Sequence, residues 1–136
     1  MTAGPAARAV VLAALLAAAG AARAQDGAVL GTALRDLVGT PLCSVDAECR
    51  TVPYGAKGCG GPQAWLAWST RISDEAALRA AAERFAAAQR EALRASDRVS
   101  DCAVVPDPGA VCAPAPGVDG ARTCVLRSAQ QGRVAR

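Results

Sequence analysis

The segment PLCSVDAECRTVPYGAKGCGGP, residues 41–62, decides the fold of this chain. It holds three of the six cysteines, the only lysine, Lys57, and the only tyrosine, Tyr54. The other three cysteines lie beyond a long helical pattern, so the chain must fold back for them to meet this segment. An even cysteine count in a short exported chain predicts a disulfide framework. The expected half-cystines are Cys43, Cys49, Cys59, Cys102, Cys112 and Cys124.

Two of the cysteine intervals are equal, with nine residues between Cys49 and Cys59 and nine between Cys102 and Cys112. Equal intervals favour pairing within each half of the chain. The predicted disulfides are therefore Cys49–Cys59, Cys102–Cys112 and Cys43–Cys124. The alternative is cross-bridging between the two halves, because cysteine spacing does not define connectivity.

Residues 1–24 have the pattern of a cleavable signal peptide. Arg8 is followed by an apolar run, Val10–Ala22, and then by Ala22-Arg23-Ala24, which predicts cleavage before Gln25. A membrane-spanning helix is the alternative, but it needs about 20 apolar residues, and this run has 13. We expect a periplasmic or secreted protein with no stable membrane insertion after cleavage. Because Gln25 and not a cysteine follows the cut, a lipid anchor is not expected.

Charge gives no support to a nucleic-acid partner. Cleavage removes two of the 15 basic residues and none of the 12 acidic ones, which leaves a net charge of about +1. A strongly basic face for nucleic acid or for an acidic membrane surface is therefore not expected. Aromatic residues make up only 3% of the chain, so the apolar core is thin and disulfides should add to its stability.

The sequence after the signal divides into three parts. Residues 25–41 form an N-terminal segment with a short predicted helix at Thr32–Val38, which Gly39 and Pro41 would end. Residues 42–127 form the disulfide-stapled domain. Residues 128–136 are polar, lack a hydrophobic period and are predicted to be a flexible tail.

The domain is predicted to be α+β, with one small antiparallel sheet and one long helix on one face. Leu66 and Trp68 should share one face of the second strand and Trp65 the other. The predicted strands are Cys49–Pro53, Ala64–Thr70, Cys102–Val105, Ala110–Ala113 and Thr123–Arg127.

The long helix is predicted over Asp74–Ala95, with Ser73 as its N-cap. Its body is rich in strong helix formers. Leu78, Phe85 and Ala92 lie along one apolar stripe, which predicts packing against the sheet.

The sequence lacks the residue types and spacings of the common catalytic and metal sites. The chain has no histidine, which removes Ser-His-Asp and Cys-His catalysis and histidine metal sites. No cysteine pair has C-x-x-C spacing, so thioredoxin-like chemistry and zinc ribbons lack their motif. The acidic pairs Asp46/Glu48 and Asp97/Asp101 are adjacent to turns and cysteines. We expect neither an enzyme nor a bound cofactor or metal.

The cysteine and aromatic motifs resemble a group of small exported, cysteine-rich bacterial proteins. The resemblance rests on Cys43-x5-Cys49, Cys59-Gly60-Gly61-Pro62, Trp68-Ser69 and Ser100-Asp101-Cys102, and it extends from Leu42 to Val125. Many members of the group are described as lipoproteins, whereas this chain has no cysteine at the predicted cut. The resemblance implies an exported disulfide-rich fold and carries no activity.

Two functions fit these features. The first is a binding or inhibitory module that presents the loop Pro53–Gly58 to another exported protein, with Tyr54 and Lys57 as contact residues. The cysteines near the loop would lower the ordering cost of binding. In the competing interpretation Tyr54 belongs to the core and the glycines only allow the turn. The second function is an envelope-associated structural or stress-related protein with no discrete active loop.

Overall fold

The computed structural model describes residues 26–127. The predicted signal peptide with its cleavage site and the predicted tail lie outside the described residues. A 3₁₀ turn, Asp46–Glu48, precedes the first strand. The elements are α1 (residues 26–38), β1 (Cys49–Tyr54), β2 (Ala64–Ser69), α2 (Glu75–Arg94), β3 (Ala110–Pro114) and β4 (Arg122–Leu126). The α+β class, with a long helix, small antiparallel sheets and three disulfides, is confirmed.

Helix α1 is longer than the sequence pattern predicted, because it begins at residue 26 and not near Thr32. Gly31, Leu34 and Val38 are buried on one side of it, and its other positions face solvent or lie at the boundary. The predicted stop at Gly39 is confirmed. Gly39 has φ of 57°, and its N–H donates to the carbonyl of Arg35 at 3.0 Å, which satisfies one end group of the helix.

The strands form two hairpins and not the single five-stranded sheet that the sequence predicted. β1 pairs antiparallel with β2, and β3 pairs antiparallel with β4. Leu42 adds an isolated antiparallel bridge to Thr123, which connects the chain before β1 to the second hairpin. The first hairpin encloses the glycine-rich loop, as predicted, and the two hairpins contact each other through β2 with β4 and β1 with β3.

The predicted strand Cys102–Val105 is wrong, since these residues form no strand. Cys102 has φ of 52°, a left-handed conformation that interrupts an extended run. The carbonyl of Val105 accepts a bond from the indole Nε1 of Trp65 at 3.0 Å and not from a neighbouring strand. Side-chain and covalent contacts therefore hold this segment where a β-ladder was expected.

Helix α2 covers the first hairpin through a buried stripe. Leu78 and Phe85 lie on it as predicted, whereas Ala92 is only half-buried. Trp68 is buried under the helices, and Trp65 is half-buried. The apolar core consists of Leu34, Val38, Val52, Trp68, Leu78, Ala81, Ala82 and Phe85.

The N-cap of α2 is Asp74 and not Ser73. The Asp74 carboxylate accepts a bond from the backbone N–H of Ala77 at 2.7 Å. The Ser73 hydroxyl instead donates to the carbonyl of Val38 at 3.1 Å, at the end of α1. Ser73 therefore joins the two helices, and the residue after it caps the second.

Replacing Asp74 with alanine is expected to lower the free energy of unfolding by about 1 kcal/mol, because one helix N–H loses its partner. Asp74→Ser keeps an oxygen acceptor and should stay within a few tenths of a kcal/mol of the wild type. Urea denaturation followed by circular dichroism measures both. Equal stability of the serine and alanine variants would contradict the capping role.

All three predicted disulfides are wrong, and the cross-bridged alternative is the one observed. The three bonds each join a cysteine before α2 to one after it. They are Cys43–Cys112, Cys49–Cys124 and Cys59–Cys102.

The register of the second hairpin explains the error. Cys112 and Cys124 lie directly opposite each other on β3 and β4, so their side chains leave the same face of that hairpin. Each then bonds to one of the two cysteines near β1, Cys43 and Cys49. The four buried cysteines form a second core that attaches one hairpin to the other. The equal intervals between cysteines in the sequence carry no information about this arrangement.

Candidate functional site

The segment that joins α2 to β3, residues 95–109, is the crossover loop. None of it is helix or strand. At its centre Cys102 is bonded to Cys59 of the glycine-rich loop. Beside this disulfide, the Lys57 ammonium lies 2.5 Å from the Asp101 carboxylate and donates to the carbonyl of Ala103 at 2.7 Å. One covalent bond and one lysine therefore fix the middle of the crossover loop.

Two further contacts fix the second half of the crossover loop. The Trp65 indole donates to the carbonyl of Val105, and the Thr51 hydroxyl donates to the Asp107 carboxylate at 2.7 Å. The other oxygen of Asp107 accepts from the N–H of Gly109 at 2.8 Å, which closes a local turn. Both donors belong to the first hairpin, so this half of the loop lies against β1 and β2.

Lys57 also sets the charge state of the loop. The pKa of Asp101 is lowered below its ordinary value, chiefly by the hydrogen bond that its carboxylate accepts from Lys57. The N–H of Ala103 and the positive charge of Lys57 lower it further. A lowered acid pKa means that the folded state favours the ionised carboxylate. The stability that this pair adds to the fold is therefore lost only when the pH falls through that lowered pKa. The Asp101–Lys57 contact is therefore intact at neutral pH.

The crossover loop presents two apolar side chains to solvent, Val99 before the disulfide and Val104 between the anchored residues Ala103 and Val105. Val99 is 96% exposed and Val104 is 88% exposed, the highest values among the large exposed apolar residues of the described chain. Val104 lies between Ala103 and Val105, whose carbonyls are both held by side chains of the glycine-rich loop and β2. Its exposure is therefore imposed by anchored neighbours and is not a consequence of a free chain end.

A cleft of about 550 Å³ lies between the crossover loop, the glycine-rich loop and the end of α2. All four charged residues that line it are cations. Arg90 pairs with Glu83 at 2.7 Å, and Arg94 approaches Glu91 at 3.9 Å. Arg98 has no ion-pair partner among residues 26–127, and it directly precedes Val99. The residues that line the cleft include Lys57, Cys59, Arg90, Leu93, Arg94, Arg98 and Ser100.

The two predicted contact residues serve different neighbours. Tyr54 is half-buried, and its ring centroid lies 4.8 Å from that of Phe85 on α2. The Arg35 guanidinium of α1 lies 4.4 Å from the same ring. Lys57 instead contacts the crossover loop, and its side chain is 16% exposed. Tyr54 thus packs against the core, and a binding role for the pair stays a prediction.

The glycine-rich loop itself is held closely to α2. The amide of Gln89 accepts from the N–H of Ala56 at 2.6 Å, and it donates to the side chain of Gln63 at 3.2 Å. Gly55 has φ of 74°, and a Cβ at this position would collide with Gln89 and Gln63. Glycine is therefore favoured at residue 55 by its left-handed conformation, whereas a Cβ would displace only the ends of two flexible glutamine side chains. The predicted contact loop acts as a support for the crossover loop.

The sequence did not single out Val99 and Val104 as candidate site residues. Val104-Val105 has the composition of a strand, and that composition dominated the prediction. The available signal was the flanking pattern, with Ser100-Asp101 before the cysteine and Pro106-Asp107-Pro108 after the valines. Turn residues on both sides are typical of an anchored loop.

Three of the buried cysteines have sulfur atoms within 4.8 Å of one another. They are Cys43, Cys49 and Cys112, and each is already part of a disulfide. A metal ligand must be a thiolate, so in this oxidised state these sulfurs act as packing groups. Two of the three sulfurs, those of Cys43 and Cys112, are bonded to each other, and the second disulfide packs beside them, which explains the close approach.

No family model matches the chain, and neither a curated protein nor a solved structure matches it. Among residues 26–127, neither helix combines the length and the apolar character that crossing a bilayer requires. The three disulfides indicate an oxidising environment of the extracellular type.

Proposed function

We propose that the protein is an exported binding or inhibitory module that presents the crossover loop to another exported protein. The observation that carries this proposal is the exposure of Val99 and Val104 on a loop anchored by a disulfide, an ion pair and two hydrogen bonds. In this proposal residues 1–24 direct export to the periplasm or the cell exterior, where the partner also resides.

The shape of the loop favours a protein as the partner. Small-molecule sites are concave and enclose their ligand, whereas these valines project from the surface. Projecting apolar side chains gain free energy when they enter a pocket on a second protein and leave water, at about 25 cal/mol per Å² of buried apolar surface. Arg98 beside Val99 lacks an ion-pair partner within the described chain, so a pocket with an acidic rim would complement this end of the loop.

Anchoring gives the crossover loop an advantage over a flexible segment. A flexible loop loses conformational entropy when it binds, at about 0.5–1.5 kcal/mol for each immobilised side chain. Here the disulfide, Lys57 and Trp65 already restrict the backbone on both sides of Val104. Most of the backbone conformational entropy that binding would remove around Val104 is therefore already lost when the protein folds.

The test begins with capture of exported proteins from the source cells on immobilised mature protein. A single stoichiometric partner is expected, and it is then purified for isothermal titration calorimetry. The double variant Val99→Ser, Val104→Ser should bind at least about tenfold more weakly, equivalent to roughly 1.4 kcal/mol, because two apolar anchors are lost. Its melting temperature should match that of the wild type, since both side chains are exposed.

Val118→Ser is the matched control, because Val118 is 57% exposed and lies in the turn between β3 and β4. Its affinity for the purified partner should be unchanged. Equal affinity of all three proteins would exclude the crossover loop as the contact surface. Failure of the wild type to capture any stoichiometric partner would instead favour an envelope-associated structural protein.

A further inference from the structure

We propose that Cys59–Cys102 is a site of thiol–disulfide exchange, opened by an external dithiol while the other two disulfides stay closed. This inference does not depend on the proposed binding function. It starts from a difference in exposure between the three bonds. Cys59 and Cys102 are both exposed, whereas the four cysteines of the other two disulfides are at most 7% exposed.

Exposure matters because exchange requires direct contact. A thiolate must approach one sulfur and displace the other, so a buried disulfide is protected by its surroundings. Cys43–Cys112 and Cys49–Cys124 form the second core between the hairpins. A reductant reaches them only when that core opens, whereas it meets Cys59–Cys102 on the folded surface.

The charges around Cys59 favour its departure as a thiolate. Cys59 lines the cleft with Lys57, Arg90, Arg94 and Arg98. The first three also pair with carboxylates, whereas Arg98 has no ion-pair partner among residues 26–127. Nearby cations stabilise a thiolate and lower the pKa of a thiol, and a more stable leaving thiolate accelerates exchange. Cys59 borders this cleft and Cys102 does not, so we assign Cys102 as the sulfur that is attacked.

The exchange balances as a two-electron reduction. The dithiol's thiolate attacks Sγ of Cys102 and forms a mixed disulfide, and the electron pair of the broken S–S bond goes to Sγ of Cys59. The second thiol of the reductant then attacks the mixed disulfide. This step releases Cys102 as a thiolate and leaves the reductant as an internal disulfide. Solvent protons complete the two thiols of the chain.

Opening the bond frees the first half of the crossover loop. Its remaining anchors there both come from Lys57, through the ion pair with Asp101 and the bond to the carbonyl of Ala103. The Asp101 side chain is 72% exposed, so the ion pair contributes little. Cys102 can also leave its left-handed φ of 52°, which is unfavourable for a residue with a Cβ. The bonds to Val105 and Asp107 continue to hold the second half.

The test exposes the oxidised, full-length mature protein to dithiothreitol for increasing times and traps thiols with iodoacetamide. Mass mapping should show a species alkylated only at Cys59 and Cys102 before any species with four alkylated cysteines. At early times its formation should be at least tenfold faster than labelling of the other four. Simultaneous labelling of all six cysteines, or labelling of Cys43 and Cys112 first, would overturn the proposal.

A charge-matched pair of variants tests the role of the cleft. Arg94→Gln removes a cation that lines the cleft, whereas Arg84→Gln removes an exposed cation of α2 that does not line it. Arg94→Gln should slow the first alkylation several-fold, and Arg84→Gln should react at the wild-type rate. Wild-type rates in both variants would exclude cationic assistance and, with it, the assigned direction of exchange.

Discussion

Replacing Cys43 and Cys112 together with alanine is expected to lower the free energy of unfolding by about 4 kcal/mol or more. The bond joins residues 69 apart in the sequence, but with Cys49–Cys124 still closed the shortest path between them runs through that bond. That shorter loop, on the order of 20 residues, restricts the unfolded chain by about 3 kcal/mol. Both cysteines also belong to the second core, so their removal leaves a cavity as well. Because domains of this size are stable by only about 5–15 kcal/mol, the variant should unfold at a much lower denaturant concentration than the wild type.

The exposed disulfide provides the matched control for this prediction. Cys59→Ala, Cys102→Ala removes a bond with a sequence separation of 43, and with the other two bonds closed the chain-entropy contributions of the two closures differ by less than about 0.5 kcal/mol. Any further difference in stability reports the packing of the buried pair. We expect the Cys43/Cys112 variant to be less stable by at least about 1 kcal/mol in guanidinium denaturation. Equal stability would show that the second core adds no packing energy.

Replacing Phe85 with alanine is expected to cost about 3–5 kcal/mol. Phe85 is 3% exposed, lies on the buried stripe of α2 and packs against the Tyr54 ring. Its loss would remove contacts between α2 and the first hairpin. Chemical denaturation monitored by the helical circular dichroism signal measures the change.

Arg84→Ala is the control for Phe85, because Arg84 is the preceding residue on the same helix and is exposed. Surface substitutions of this kind usually stay within about 0.5 kcal/mol. A loss below about 1 kcal/mol for the Phe85 variant would show that the contacts of this ring contribute little to the stability of the helix on the hairpin.

Local patterns in the sequence predicted the parts of the fold that local physics determines. The stripe containing Leu78 and Phe85 identified the buried face of α2, since helical periodicity is a property of one segment. The glycine-rich stretch identified the loop of the first hairpin, because a turn signal is also a property of one segment. The error at the N-cap was a single residue, because Ser73 and Asp74 are both good capping residues and only the contact of Ser73 with α1 separates them.

Connectivity and the candidate site depend on contacts between distant segments, which one sequence does not reveal. The pairing of Cys112 and Cys124 with Cys43 and Cys49 follows from the register of the second hairpin and its position on the first. Val104 was assigned to a strand because β-branched residues favour strands. Its exposure results instead from Lys57 and Trp65, which hold the neighbouring carbonyls of Ala103 and Val105 across 46 and 40 residues of chain.

The cross-bridged connectivity also constrains how the chain can mature. Synthesis delivers Cys43, Cys49 and Cys59 first, and none of these three is the native partner of another. The first native bond cannot close until Cys102 has emerged, 43 residues after Cys59. An oxidase that joined cysteines in their order of appearance would close the non-native pairs Cys43–Cys49 and Cys112–Cys124, and only Cys59–Cys102 would be native. Correct maturation therefore requires oxidation to wait for the second hairpin, or an isomerase to reshuffle the early bonds.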